Sequence, residues 1–256
     1  MGNLIRMDLY RMLKSRTFRV CLILCFILAL ATAPVGKLLF TLARSLSDEV
    51  TGTFAEEVPF SGILSDPFPL LGLMLMLLSL CFFFHADQEE GYIKNIAGQM
   101  PMKGFTILSK FVAAISHNLI FAAAGIIGQL IGTLFVQRII ADSGVLESIR
   151  ILALKLLLLQ SISTILLLTV STFRSKSFGM ILAVLFGLGL TPLIYLGINE
   201  ALKPVFGEAT DISKYMPDSV MNETPLDTVK AVLIAVVTGV IFLVPAIRVF
   251  DRKDVK

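Results

Sequence analysis

Tryptophan is absent from this 256-residue chain, which holds only 2 histidines and 3 cysteines. So few imidazoles and thiols leave little material for a metal cage. Cys21, Cys25 and Cys81 all lie in apolar runs and form neither a CxxC pair nor a disulfide framework. Charged residues are scarce as well, at 16% against a hydrophobic share of 56% and a mean hydropathy of +0.86. That balance excludes a soluble enzyme. No G-x-x-x-x-G-K-[ST] phosphate loop occurs, so ATP hydrolysis of the P-loop kind is not expected of this chain. The centres of the apolar runs also lack Asp and Glu. Proton-coupled carriers, pumps and intramembrane aspartyl proteases rely on such carboxylates. No catalytic residue, metal ligand or bound cofactor is therefore expected here, and any energy source lies elsewhere.

What the chain does have is length in apolar runs. Six stretches, 18–40, 67–86, 107–136, 151–172, 178–198 and 228–250, approach or exceed the roughly 20 residues that cross about 30 Å of hydrocarbon. None alternates as a barrel strand does, so the expected fold is all-α and membrane-embedded, one domain of six transmembrane helices. The run 107–136 is long for one span and must tilt, kink or protrude.

Charge sets the expected orientation. With the N-terminus inside, 14 of the 22 Lys and Arg fall on the inner side and 13 of the 19 Asp and Glu on the outer. Cytoplasmic segments are enriched in Lys and Arg, so both termini are expected in the cytoplasm of a cell that carries the protein in its plasma membrane. The basic residues flank spans instead of forming one patch, which argues for lipid and against nucleic acid as a partner. The basic start followed by an apolar run ending in Ala29–Ala33 is similar to a secretory signal, but Pro34 disfavours cleavage there.

Two segments outside the spans carry a pattern. In residues 1–17, Ile5, Leu9, Met12 and Leu13 share one helical arc while Arg6, Arg11 and Lys14 share the opposite one, as in an interfacial amphipathic helix. In residues 87–104, Ile93, Ile96, Ala97 and Met100 keep helical spacing up to Pro101. Asp87, Glu89 and Glu90 argue against adhesion to a negative leaflet, so this greasy face fits a protein groove better than lipid.

The N-terminal helix, the loop Glu90-Gly91-Tyr92-Ile93-Lys94-Asn95 with its following proline and Ser109-Lys110, and the tail Phe250-Asp251-Arg252-Lys253-Asp254-Val255 together resemble the permease subunits of type-two ABC exporters. The resemblance covers nearly the whole six-span chain. It implies that 1–17 is an elbow helix and that the loop is a coupling helix seated on a separate ATPase subunit, which would bind ATP and Mg. Glu89, Glu90, Gly91, Tyr92, Ile93, Lys94 and Ile96 would make that contact, with Arg174 and Lys176 of the short turn 173–177 as a second one. It also implies a homodimer, or a pair with a paralogous permease, meeting through spans one and five. Export of an amphipathic compound such as an antimicrobial peptide is common among small members. The rival reading is a polytopic sensor or assembly subunit whose loop binds a protein that is not an ATPase.

Within the spans, Asn118 and Gln129 lie eleven residues apart, within about 20° on one helical face, and Gln160 and Thr164 follow in the next span. They make either a polar substrate path or a set of interhelical hydrogen bonds. The four-residue stripes Ala124, Gly128, Gly132 and Ala231, Ala235, Gly239 suit close helix packing. Gly187, Gly189, Pro192 and Gly197 crowd the fifth run, and a hinge or broken helix is expected at Gly189 and Pro192.

Overall fold

The computed structural model describes residues 2–46, 54–68, 70–89, 104–173, 176–206 and 211–252. Helix α1 (Gly2–Lys14) meets α2 (Arg16–Leu46) at Ser15. A short strand β1 (Glu57–Pro59) leads into α3 (Phe60–Ser65), followed by α4 (Leu70–Glu89) and α5 (Phe105–Leu134). Strand β2 (Arg138–Ile140) precedes α6 (Val145–Thr172), α7 (Lys176–Gly187) and α8 (Thr191–Phe206). A 3₁₀ turn at Ile212–Tyr215, the single turn α9 (Pro217–Met221) and α10 (Thr228–Arg252) complete the described chain.

Among the described residues, α2, α5, α6 and α10 are long and apolar enough to cross a membrane. The pair α7 and α8 qualifies as a fifth span only if the two are counted together, because they are bent by 100° at the break between them. In α4 the apolar stretch Leu71–Ala86 is shorter. Each of the six apolar runs thus coincides with helix, in an all-α membrane fold. The exception is a pair of three-residue strands outside the apolar runs. β1 and β2 pair in parallel with Glu57 opposite Arg138, and Arg138 N donates to Glu56 O at 2.8 Å.

The helices pack mainly as α2 on α5, α6 on α10, and α4 against both α2 and α7. Glycine decides the first of these contacts. A Cβ on Gly132 would stand 2.1 Å from Leu30 O, and one on Gly128 would stand 2.8 Å from Phe26 O, so the stripe on α5 lets the α2 backbone lie against it. The stripe on α10 divides. Ala231 and Ala235 are buried against Leu154 and Leu158 of α6, whereas Gly239 faces open space. The main core lies between α2, α4, α5, α6 and α7, around Met76, Leu80, Phe121, Ile162 and Leu166. α2 and α10 turn large apolar side chains outward, among them Ile27, Leu38, Leu233 and Ile241. Water would not tolerate so much exposed aliphatic surface, and lipid does.

Candidate functional site

The end of the bundle that carries both termini is tied together by polar groups from four helices. α5 starts there, at Gly104. Its amide donates to Asp251 Oδ1 at 2.5 Å, near the end of α10. A carboxylate at a helix N-terminus meets unsatisfied amides and the positive end of the helix dipole. The approach needs glycine, since a Cβ there would stand 2.7 Å from Ile247 Cγ2 and 3.0 Å from Asp251 Oδ2. One turn into α5, Ser109 Oγ donates to Asp8 Oδ2 of α1 at 2.5 Å, with both residues buried. Next to it, buried Lys110 donates to Phe83 O of α4 at 3.3 Å, and its ammonium lies 4.6 Å from the Phe83 ring centroid. A cation is favoured there by the carbonyl end of α4 and by the aromatic face.

These contacts add a packed face to the first helix. The face of α1 that packs is Leu4, Asp8 and Met12, while Leu13, assigned to the apolar arc, is 47% exposed. Hydropathy ranks Asp8 as solvent-facing, and a serine on α5 reverses that. Asp8 is the only acid among the first seventeen residues, and in hindsight that was its signal. Residues 87–89, the start of the segment 87–104, continue α4 to Glu89. Glu90, Gly91, Tyr92, Ile93, Lys94, Ile96 and Arg174 lie outside the described residues, and Glu89 is placed only as the last residue of α4. Lys176 opens α7. α5 thus begins in the tied cluster at Gly104, and α4 is described as far as Glu89.

The polar residues inside the spans separate into two groups. Asn118 Nδ2 donates to Gln160 Oε1 at 3.0 Å and to Ser163 Oγ at 3.2 Å, and Gln160 Nε2 donates to Phe111 O at 3.1 Å. Thr164 is turned to its own helix, donating to Ser161 O at 2.7 Å. Gln160, Ser161 and Thr164 line a cavity of about 240 Å³ between α5, α6 and α10, walled otherwise by apolar groups and Gly239. Gln129 is not part of it, because its amide caps Asp66 O at 2.9 Å at the opposite end of the bundle. A shared helical face did not bring Asn118 and Gln129 to one place, since eleven residues separate them by about 16 Å along the axis. His117 is enclosed, with Nε2 3.2 Å from Ser79 Oγ and its ring stacked on Phe121 at 4.6 Å.

At that far end the chain bends. Gly189 has φ 66, in the left-handed region that favours glycine. Pro192 is the second residue of α8, where a missing amide hydrogen costs nothing, so it starts a new helix rather than kinking an old one. A Cβ on Gly187 would stand 2.3 Å from Met74 Cα, which fixes the last turn of α7 against α4. The start of α8 is held by Asp218 of α9, which is buried. Asp218 accepts from Tyr195 Oη at 2.6 Å and from Thr191 Oγ1. Beside it is a cavity of about 290 Å³ lined by Asp66, Lys155, Gly189, Pro192, Ser219 and other residues. Two exposed turns flank this end. In one, the Ser61 hydroxyl, then the Ser61 and Gly144 amides, hold the Asp142 carboxyl below its usual value. In the other, Ser213 and Asn199 do the same for Asp211. Asp218 was missed in sequence because it lies in a hydrophilic connection outside every apolar run.

Among the described residues no group of three or more His, Cys, Asp and Glu is placed to hold a metal ion. No protein-family model and no curated protein matches the chain.

Proposed function

We propose that the chain is the permease subunit of an ATP-driven exporter. It would be a six-span protein of the plasma membrane with both termini in the cytoplasm, paired with a second permease and energised by separate ATPase subunits docked on residues 87–104 and on the turn 173–177. The observation that supports this most is the polar cluster at the start of α5. Gly104 binds α10 through Asp251, Ser109 binds α1 through Asp8, and Lys110 binds α4 through Phe83 O. In this reading a partner that displaces the start of α5 also acts on α1, α4 and α10 through these contacts. That is what a coupling element requires, because a ligand or partner shifts an equilibrium only through contacts that differ between the two states.

The substrate in this reading is amphipathic or hydrophobic. Gln160 and Thr164 offer hydrogen-bonding groups at the edge of an otherwise apolar cavity facing α10, and such a surface accepts a molecule that is mostly apolar. An antimicrobial peptide is one candidate of that class. ATP chemistry belongs to the partner, and this chain's contribution is mechanical.

The deciding experiment is purification of the tagged protein from native membranes in mild detergent, with mass spectrometry of what stays bound. A P-loop ATPase is expected with the native sequence and is expected to be lost in Gly91→Arg/Ile93→Glu, with membrane insertion unchanged. Reproducible recovery with a kinase or synthase and no ATPase would overturn the exporter reading in favour of a sensor or assembly subunit.

A further inference from the structure

The corner between α1 and α2 holds a cavity of about 580 Å³ whose described lining includes Arg11, Lys14, Arg16 and Lys176 and no acid. The nearest acid in sequence on α1, Asp8, is turned away from it into the contact with Ser109. Arg11 and Lys176 take part in further interactions, whereas no described carboxylate pairs with Lys14 or Arg16. The Lys14 ammonium lies 4.8 Å from the centroid of the Tyr10 ring, which also lines the cavity. Ser15, at the junction of α1 and α2, and Arg16 and Thr17 at the start of α2 complete that wall.

The cavity has a second, apolar part. Its floor is the end of α4, at Phe82, Phe83 and Ala86. Leu75, Leu78 and Phe82 follow one another along α4 at helical spacing, and all three are partly exposed. They form an apolar strip that runs from the cationic cavity toward the middle of the bundle, on the helix against which α2 and α7 both pack. Cations at the start of a long apolar helix, followed by a greasy strip of this kind, match a molecule with a phosphate at one end and hydrocarbon at the other.

We propose that this cavity binds the phosphate of an anionic phospholipid, with Lys14 and Arg16 on the phosphate oxygens and an acyl chain along Leu75, Leu78 and Phe82. Basic pockets between membrane helices select such headgroups by charge and by hydrogen bonds to the phosphate. The inference goes beyond the exporter reading and needs only that the chain be embedded in a membrane. A free phosphate would meet the same cations but would leave the strip unused.

The test uses the full chain in phosphatidylcholine nanodiscs doped with phosphatidylglycerol, read by native mass spectrometry of retained lipid and by thermal unfolding. Phosphatidylglycerol is expected to be retained in preference to phosphatidylcholine and to raise Tm. Lys14→Gln/Arg16→Gln is expected to lower that preference roughly tenfold to thirtyfold, and Lys14→Arg/Arg16→Lys to keep most of it. Since removing two cations can also disturb insertion, Lys14→Gln alone is run beside them, with an expected loss of about fivefold. A preference equal in the native chain and in both glutamine variants would overturn the proposal. So would displacement of phosphatidylglycerol by millimolar inorganic phosphate, which would assign the cavity to a free anion.

Discussion

Two polar clusters, one at the start of α5 and one around the bend, are built from contacts of different reach. At the end with the termini, Ser109 binds Asp8 across 101 positions of sequence and Gly104 binds Asp251 across 147, so helices from the start, middle and end of the chain share one cluster. Around the bend, Asp218 binds Tyr195 across 23 positions and Thr191 across 27, and Asn199 binds Asp211 across 12. The first cluster is a junction of distant elements and the second a local cap on a broken helix, with longer ties such as Gln129 to Asp66 O and Ser61 N to Asp142 beside it. A displacement applied at the junction spreads to α1, α4, α5 and α10. One applied at the cap acts on α8 through Thr191 and Tyr195 and on α6 through Val220, which packs with Leu154 and Leu158. In the exporter reading proposed above, the junction would be the transmitting end.

The sharpest way to break this comparison is Asp218→Ala. It leaves two buried hydroxyls without their acceptor, and hydrogen bonds to a carboxylate contribute about 1.5–3 kcal/mol each. A loss of about 3 kcal/mol or more is expected, together with a changed distance between spin labels on α7 and α8. Unchanged distances would show that the cap does not hold the bend. Gly187→Ala comes next, at about 2 kcal/mol in thermal unfolding, since overpacking costs about 1–3 kcal/mol and the obstacle is the Met74 backbone. Gly197→Ala, which meets nothing within 4 Å, is the matched control and should be close to neutral.

At the junction, Ser109→Ala removes one donor from buried Asp8 at about 1.5 kcal/mol. Its signature is distributed, with faster amide exchange expected in α1 and at the start of α5 alike. Faster exchange confined to α1 would reduce the junction to a local contact. The smallest effect is that of pH on the Asp142 turn. Its carboxyl is depressed in the folded chain below the ordinary 3.8, so the stabilisation is complete above that value and is lost as pH falls through the lower folded one. Exchange at the Ser61 amide should rise only in that acid range, and a rise starting at neutral pH would contradict the assignment.

Much of the helical plan was legible before any coordinates, because lipid solvation demands long uninterrupted apolar runs and those are visible residue by residue. The amphipathic start was legible as a helix but not in its orientation. Burial of Asp8 depends on a serine 101 positions away, and no local pattern reports that distance. Asn118 and Gln160 were singled out as polar intrusions, yet only their mutual hydrogen bond shows that they bind each other, while Gln129 binds elsewhere.

The sequence by itself determined the solvent of this protein, the positions of its main apolar helices, and the crowding of Gly187, Gly189 and Pro192 at the break, since each follows from hydropathy or from backbone freedom. Only the tertiary structure decided which polar groups are buried and with whom. Asp8 and Asp218 read as ordinary hydrophilic residues in the chain, and Lys110 and Asp251 drew notice only as parts of a resemblance. Their roles arise because folding places a donor, a carbonyl or a helix end within hydrogen-bonding distance, and burying a charged group without such a partner costs more than the surrounding packing returns.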